Sequence, residues 1–156
     1  MTQAGAADEV AMRQAMAQAR AGGAAGEIPI GALVVDPDGI VIVSAHNLRE
    51  ELNDPTAHAE VIALRAAAAV RGSWRLDGCT LVVTLEPCPM CAGAVVMSRV
   101  SRLVFGAWNE EYGAAGSRWD LVRDRRLNHR AEVIGGVLAE ECGAIVREFL
   151  GQAREV

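Results

Sequence analysis

Between Asp8 and Gly22, Val10, Met12, Met16 and Ala19 recur at helical spacing, and Gly22-Gly23 ends the pattern, which predicts an amphipathic helix. Two short apolar runs follow, Ile30 to Val35 and Ile40 to Ala45. The tetrapeptide Asp36-Pro37-Asp38-Gly39 between them is turn chemistry and predicts a hairpin. Asp54-Pro55-Thr56 supplies helix-start residues before an Ala-rich helical segment from Ala57 to Val70. Cys79 to Leu85 reads as a buried strand, Pro87 to Met97 as a helix, Leu103 to Gly106 as a strand and Glu132 to Gly135 as a short fifth strand. At the end, Val137, Leu138, Cys142, Ile145, Val146, Phe149 and Leu150 share one helical stripe. A helix, a hairpin, then alternating strands and helices predict an α/β protein. Its form is a three-layer α/β/α sandwich around a mixed five-stranded sheet with helices on both faces.

Composition narrows this further. The chain has 156 residues, 51% of them hydrophobic and 22% charged, which suits one domain spanning 1–156 and excludes a disordered segment. Only 4% are aromatic, so Ala, Val, Leu and Ile must build the core. A mean hydropathy of +0.18 points to apolar surface covered by a partner subunit. No apolar run approaches the roughly 18 residues a membrane span needs, and no signal-like apolar core follows a basic start. The expectation is a soluble cytoplasmic protein with no membrane partner. The net charge of −5 argues against a generic field-driven nucleic-acid binder. All 15 basic residues are Arg, however, and residues 99–130 hold 7 of them against 4 acids, so a local basic patch around Arg123, Arg125, Arg126 and Arg130 sits on an acidic body.

Two segments carry chemistry: Thr56-Ala57-His58-Ala59-Glu60, opening one helix, and Glu86-Pro87-Cys88-Pro89-Met90-Cys91, joining a strand to another. In a first helical turn, side chains three apart such as Cys88 and Cys91 fall roughly 5–6 Å apart and can share one ion. The exposed N–H groups of a helix start favour thiolates. His58 and Glu60, two apart, stand roughly 200° apart around an α-helix, so both face one point only if it lies beyond the helix's amino end. Three protein ligands, His58, Cys88 and Cys91, leave a position for water, whereas structural zinc takes four. Glu60 is then a base beside the activated water. A non-catalytic zinc module would need a fourth ligand from His46, His129, Cys79 or Cys142. Cys79 and Cys142 lie on apolar stripes and read as core.

H-x-E followed by P-C-x-x-C is the signature of zinc nucleobase deaminases. Beyond it, the chain resembles the bacterial tRNA-specific adenosine deaminases, of cytidine deaminase-like fold, across nearly its whole length. The resemblance rests on Glu27-Ile28-Pro29-Ile30-Gly31-Ala32, Asp54-Pro55-Thr56-Ala57-His58-Ala59-Glu60 and Leu85-Glu86-Pro87-Cys88-Pro89-Met90-Cys91-Ala92-Gly93-Ala94. It continues through Ser98-Arg99, Val104-Phe105-Gly106-Ala107, Gly113-Ala114-Ala115-Gly116-Ser117 and Leu127-Asn128-His129-Arg130. The resemblance implies a homodimer with one Zn2+ per subunit, acting on a tRNA anticodon stem-loop. It implies hydrolytic conversion of the wobble adenosine to inosine, chiefly in an arginine tRNA, by zinc-activated water with Glu60 as proton shuttle. By the same match His58, Cys88 and Cys91 hold the metal, Asn47 hydrogen-bonds the target base, and Pro29, Ile30, Ala32 and Leu85 wall its pocket. Asn109, Asn128, His129, Arg130 and Phe149 are implied as further substrate contacts. The alternative reading keeps the zinc deaminase but gives it a free base or nucleoside of guanine or cytosine type. Two features depart from the family pattern. Trp108-Asn109 stands where a charged residue followed by Asp is usual, and Arg154 is the only basic residue after Phe149.

Overall fold

The structure, a computed structural model, describes residues 3–154. Its elements are α1 (Ala6–Ala24), β1 (Gly31–Val35), β2 (Val41–His46), α2 (Arg49–Leu52), α3 (Ala59–Arg71), β3 (Thr80–Leu85), α4 (Pro89–Ser98), β4 (Arg102–Ala107), β5 (Glu132–Ile134) and α5 (Ala139–Arg154). The strands form one sheet in the order β2-β1-β3-β4-β5. β1 pairs antiparallel with β2 and β3, while β3–β4 and β4–β5 are parallel, so the sheet is mixed as expected.

Strand alternation divides the core into two layers. Ala32, Val34, Leu81, Val83, Leu103 and Phe105 point to the face covered by α3 and α4, where they meet Ala59, Ala63, Leu64, Ala67, Ala92 and Val95. Leu33, Val82 and Val104 point the other way, onto Met12, Ala15, Met16 and Ala19 of α1 and Cys142 and Ile145 of α5. The helices lie close because the contacting residues are small. A Cβ at Gly31 would overlap the Ala15 carbonyl, so α1 rests on β1 backbone to backbone. Cys79 and Cys142 are free and buried, one in each layer, and burial pushes the Cys142 thiol up to about 11. Among the described residues no helix is long and apolar enough to cross a membrane.

An ion pair locks the end of the sheet where β3 and β4 begin. Asp8, in the first turn of α1, accepts from Gly5 N–H at 3.0 Å and pairs with Arg102 of β4 at 3.2 Å, and Arg102 also reaches Glu132 of β5 at 3.0 Å. The opposite end, where β3 and β4 finish, is where parallel strands of an open α/β sheet present ligand sites.

The sequence reading placed the second and third helix starts slightly early. His58 is the N-cap of α3 and Cys88 the N-cap of α4, both in extended backbone conformation. Pro89, with no N–H to satisfy, opens α4. The four-residue α2 has no apolar periodicity and was not expected.

Candidate metal centre

Both helix starts bring their N-cap side chains to one point. His58 Nδ1 lies 3.7 Å from Cys88 Sγ and 3.5 Å from Cys91 Sγ, and the three ligand atoms are all within 4.8 Å of one another. A tetrahedral zinc with sulfur at about 2.3 Å and nitrogen at about 2.0–2.1 Å sets a nitrogen–sulfur separation of about 3.5 Å. The observed spacing fits one shared ion, and two thiolates with an imidazole suit zinc chemically. Hydrogen bonds from the Cys91 thiol and from His58 pull the Cys88 thiol down to about 4, against its burial. The same contact with Cys88, outweighing burial, raises His58, and Cys91, the buried donor to Cys88, is pushed up.

Glu60, one residue into α3, is 4% exposed, and its Oε2 has no hydrogen-bond partner among the described residues. Burial pushes its carboxyl above the usual carboxylate range, against the opposing pull of its own backbone N–H and of His58. A buried carboxylate oxygen with no protein partner is costly unless something outside the chain meets it. Together with the metal-ligand spacing, this fits a water between Glu60 and the ion.

The four candidates for a fourth protein ligand are all engaged or buried elsewhere. His46 Nδ1 faces the Asn47 carbonyl at 2.9 Å and His129 Nε2 the Val100 carbonyl at 2.7 Å. Cys79 lies in the α3–α4 layer of the core and Cys142 in the α1–α5 layer. Among the described residues, the group able to hold a metal consists of His58, Cys88 and Cys91. That leaves the fourth position open, the catalytic arrangement.

The other expected residues divide into those near this end of the sheet and those away from it. Asn47 is buried. Its Oδ1 accepts from Ala59 N–H at 2.8 Å and its Nδ2 donates to the Ile28 carbonyl at 3.2 Å, so it joins the chain before β1 to the start of α3 and has one amide hydrogen left over. Pro29 is buried, and Ile30 and Ala32 pack in the α3–α4 layer, whereas Leu85 packs against the α1–α5 layer. Phe149 is half-buried on α5 and approaches Gly23, which also packs on Pro29. Asn109 lies in the loop after β4, one residue past Trp108, and accepts from Tyr112 N–H through Oδ1 at 3.1 Å. Asn128, His129 and Arg130 are not brought to the cluster. His129 binds the Val100 carbonyl ahead of β4, so this segment sits at the other end of that strand. The basic patch is partly neutralised: Arg123 pairs with Asp120 and Arg126 with Asp124, whose carboxyl is held down at about 2. The Arg154 side chain lies outside the described residues.

Two buried carboxylates were missed by the sequence reading. Glu27 accepts from Glu50 and Glu51 N–H at 2.9–3.2 Å, capping α2. Glu86 accepts from Asn109, Ala115 and Ser117. The available signal was an acid set against Ile28-Pro29 or Leu85 and Pro87, inside otherwise apolar motif segments.

Residues 6–107 match the family described as the cytidine and deoxycytidylate deaminase zinc-binding region. The chain is 48% identical over 148 residues to the tRNA-specific adenosine deaminase of Bacillus subtilis, covering 95% of this chain and 91% of that protein. It is 49% identical over 148 residues to the corresponding Haemophilus influenzae protein, covering 95% and 86%. Among solved structures, one from a study of A-to-I editing by tRNA:A34 deaminases superposes with a TM-score of 0.84 at 40% identity, covering 87% of this chain and 98% of that one. Guanine deaminase from Nitrosomonas europaea superposes with a TM-score of 0.82 at 28% identity, covering 97% and 87%.

Proposed function

The chain belongs to the cytidine and deoxycytidylate deaminase family, among its tRNA-specific adenosine deaminases, and from that membership we propose that it converts the wobble adenosine of a tRNA anticodon, chiefly of an arginine tRNA, to inosine. His58, Cys88 and Cys91 hold one Zn2+, which when bound lowers the pKa of water towards neutrality and so supplies a nucleophile. The observation that carries the reading is the buried Glu60 carboxylate, whose Oε2 has no hydrogen-bond partner among the described residues, beside a three-ligand cluster with no fourth protein ligand among them.

Glu60 does the proton work. Its carboxylate takes a proton from the attacking water as oxygen bonds to C6, and delivers it to N1 of the purine. It then takes the second proton from that oxygen and gives it to the departing amine, so that ammonia leaves and the base remains on its ribose as the hypoxanthine of inosine. The raised position of its carboxyl suits a group that must both accept and return a proton. Asn47 contributes its remaining amide hydrogen to the base, while Pro29, Ile30 and Ala32 supply apolar walls. An anticodon loop is single-stranded, so splaying out one base costs less than extruding it from a duplex.

The active form is a homodimer in the cytoplasm. The sequence of α4 contains no charged residue. It buries Cys91, Ala92, Val95 and Val96 inward and exposes Met90 and Met97, with Val70 and Trp74 exposed as well. A helix apolar all round is one that expects cover on both sides.

A second reading, deamination of a free base such as guanine, draws on the likeness to guanine deaminase and on the net charge of −5. Incubating the zinc-loaded protein with an arginine tRNA anticodon hairpin, free adenosine, guanine and cytidine separates the two. Inosine at the wobble base of the hairpin, without product from the free compounds, is expected. Product from a free compound alone overturns the tRNA reading.

A further inference from the structure

Glu86 is 1% exposed, and every hydrogen bond to its carboxylate comes from one loop. Oε2 accepts from Asn109 N–H at 3.0 Å and from the Ser117 hydroxyl, and Oε1 accepts from Ala115 N–H at 3.1 Å and Ser117 N–H at 2.9 Å. A carboxylate has about four acceptor sites, and all are used. The neighbouring residue strengthens the tie, because the Pro87 carbonyl accepts from Ala114 N–H at 2.8 Å. Contact is close enough that a Cβ at Gly113 would collide with the Glu86 carboxylate and the Asn109 carbonyl. The cost of burying an acid is offset here by these hydrogen bonds, so carboxylate and loop hold each other in place.

What is held in place is the segment 109–117, which follows β4 at the end of the sheet where Cys88 follows β3. Its inner side is spent on Glu86 and Pro87. Its Tyr112 is 62% exposed, and Trp108, which leads into it, is 52% exposed with its ring seated edge-on against Phe105 at 4.9 Å. Exposed aromatic faces beside a reaction centre are the usual platforms for bases of a single strand.

Resting on the deaminase reading above, we propose that Glu86 is a positioning residue: it tethers the 109–117 loop to the turn carrying Cys88, and so fixes the surface on which the RNA strand flanking the target adenosine lies. Glu86 touches neither metal nor base. It sets the distance between the centre that reacts and the loop that grips the flanking nucleotides.

The test compares wild-type protein with Glu86→Gln and Ser117→Ala on a synthetic arginine tRNA anticodon hairpin, measuring KM, kcat, zinc per chain and the unfolding midpoint. Gln turns an acceptor into a donor facing donors, while Ser117→Ala removes one hydrogen bond and leaves the carboxylate in place. The expected result is a rise in KM of about tenfold for Glu86→Gln and about threefold for Ser117→Ala, with kcat within about twofold and zinc retained. Unchanged KM in both variants overturns the inference, as does a fall in kcat at constant KM, which belongs to the chemical step. Loss of zinc or of folded protein in proportion to the lost activity, in both variants, overturns it in favour of a purely structural acid. If the wild-type protein neither binds nor deaminates the hairpin, the deaminase reading itself fails and this inference falls with it. If the wild type turns the hairpin over while the variants match its KM, only the role of Glu86 is lost.

Discussion

His58 Nδ1 stands 3.5 Å from Cys91 Sγ although the two residues are 33 apart in sequence and sit on different helices. Neither helix could make this contact from its middle. It exists because His58 is an N-cap and Cys91 lies in the first turn of a helix whose N-cap is Cys88. Stripping the metal leaves two cysteine sulfurs and a histidine ring crowded together without the ion that joins them. Chelation should therefore lower folding stability by about 3 kcal/mol relative to protein in free zinc at about 100 times its Kd, with recovery on adding zinc back. Cys91→Ser should reduce bound zinc from one per chain to almost none, read by elemental analysis. Zinc at full stoichiometry in that variant would mean that the ligand set is misassigned.

Asn47 fastens the same helix start from the side. Asn47→Ala leaves the Ala59 N–H and the Ile28 carbonyl without their partners, and one of these bonds is fully buried. Denaturant unfolding should show a loss of about 2 kcal/mol. Stability equal to wild type would mean that water replaces both contacts.

The opposite end of the sheet sets the acid response. Burial alone raises the Asp8 carboxyl, but Arg102 and the Gly5 N–H outweigh it, and the net position is below the usual carboxylate value. A carboxylate lowered in the folded state adds stability that is present above its unfolded pKa of about 3.9 and is lost as pH falls through the lower folded value. Asp8→Asn should cost about 1 kcal/mol at neutral pH, and the gap to wild type should close below about pH 3. A gap that stays constant down to that pH would show that Asp8 acts through packing alone.

Met97, 68% exposed on the uncharged helix α4, contributes little to the fold of one chain. Met97→Arg should leave the unfolding midpoint of the dissociated chain unchanged but shift sedimentation from dimer to monomer, because two copies meeting there would bury like charges. A wild type that sediments as a monomer, or a variant that sediments with a dimeric wild type, would contradict the proposed α4 contact.

The parts of this fold that follow periodic patterns could be read from the sequence. The apolar runs of β1, β3 and β4 appear where expected, and so do the stripes of α1 and α5 except at Val10 and Leu150, which are exposed. So did the metal cluster, since His58 and Glu60 can cooperate only at a helix's amino end. What periodicity does not encode was lost. The helix α2 is four polar-rich residues whose amides are held by Glu27, a tertiary contact invisible in local sequence. The loop over Glu86 is shaped the same way. The path of the chain after Ser117 obeys no repeat, so no periodicity in the sequence places His129 on the Val100 carbonyl at the far end of β4.

Everything proposed for the reaction turns on Glu60 moving protons beside an open metal position. The most direct measurement is the turnover of an arginine tRNA anticodon hairpin by zinc-loaded wild type and Glu60→Gln, with inosine read as G at the wobble base. The variant should keep its zinc and its fold, since Gln has the shape of Glu and its amide nitrogen can take the place of the oxygen that has no protein partner, while kcat falls by a factor on the order of 10²–10⁴. A zinc-loaded Glu60→Gln protein that makes inosine at the wild-type rate would contradict this.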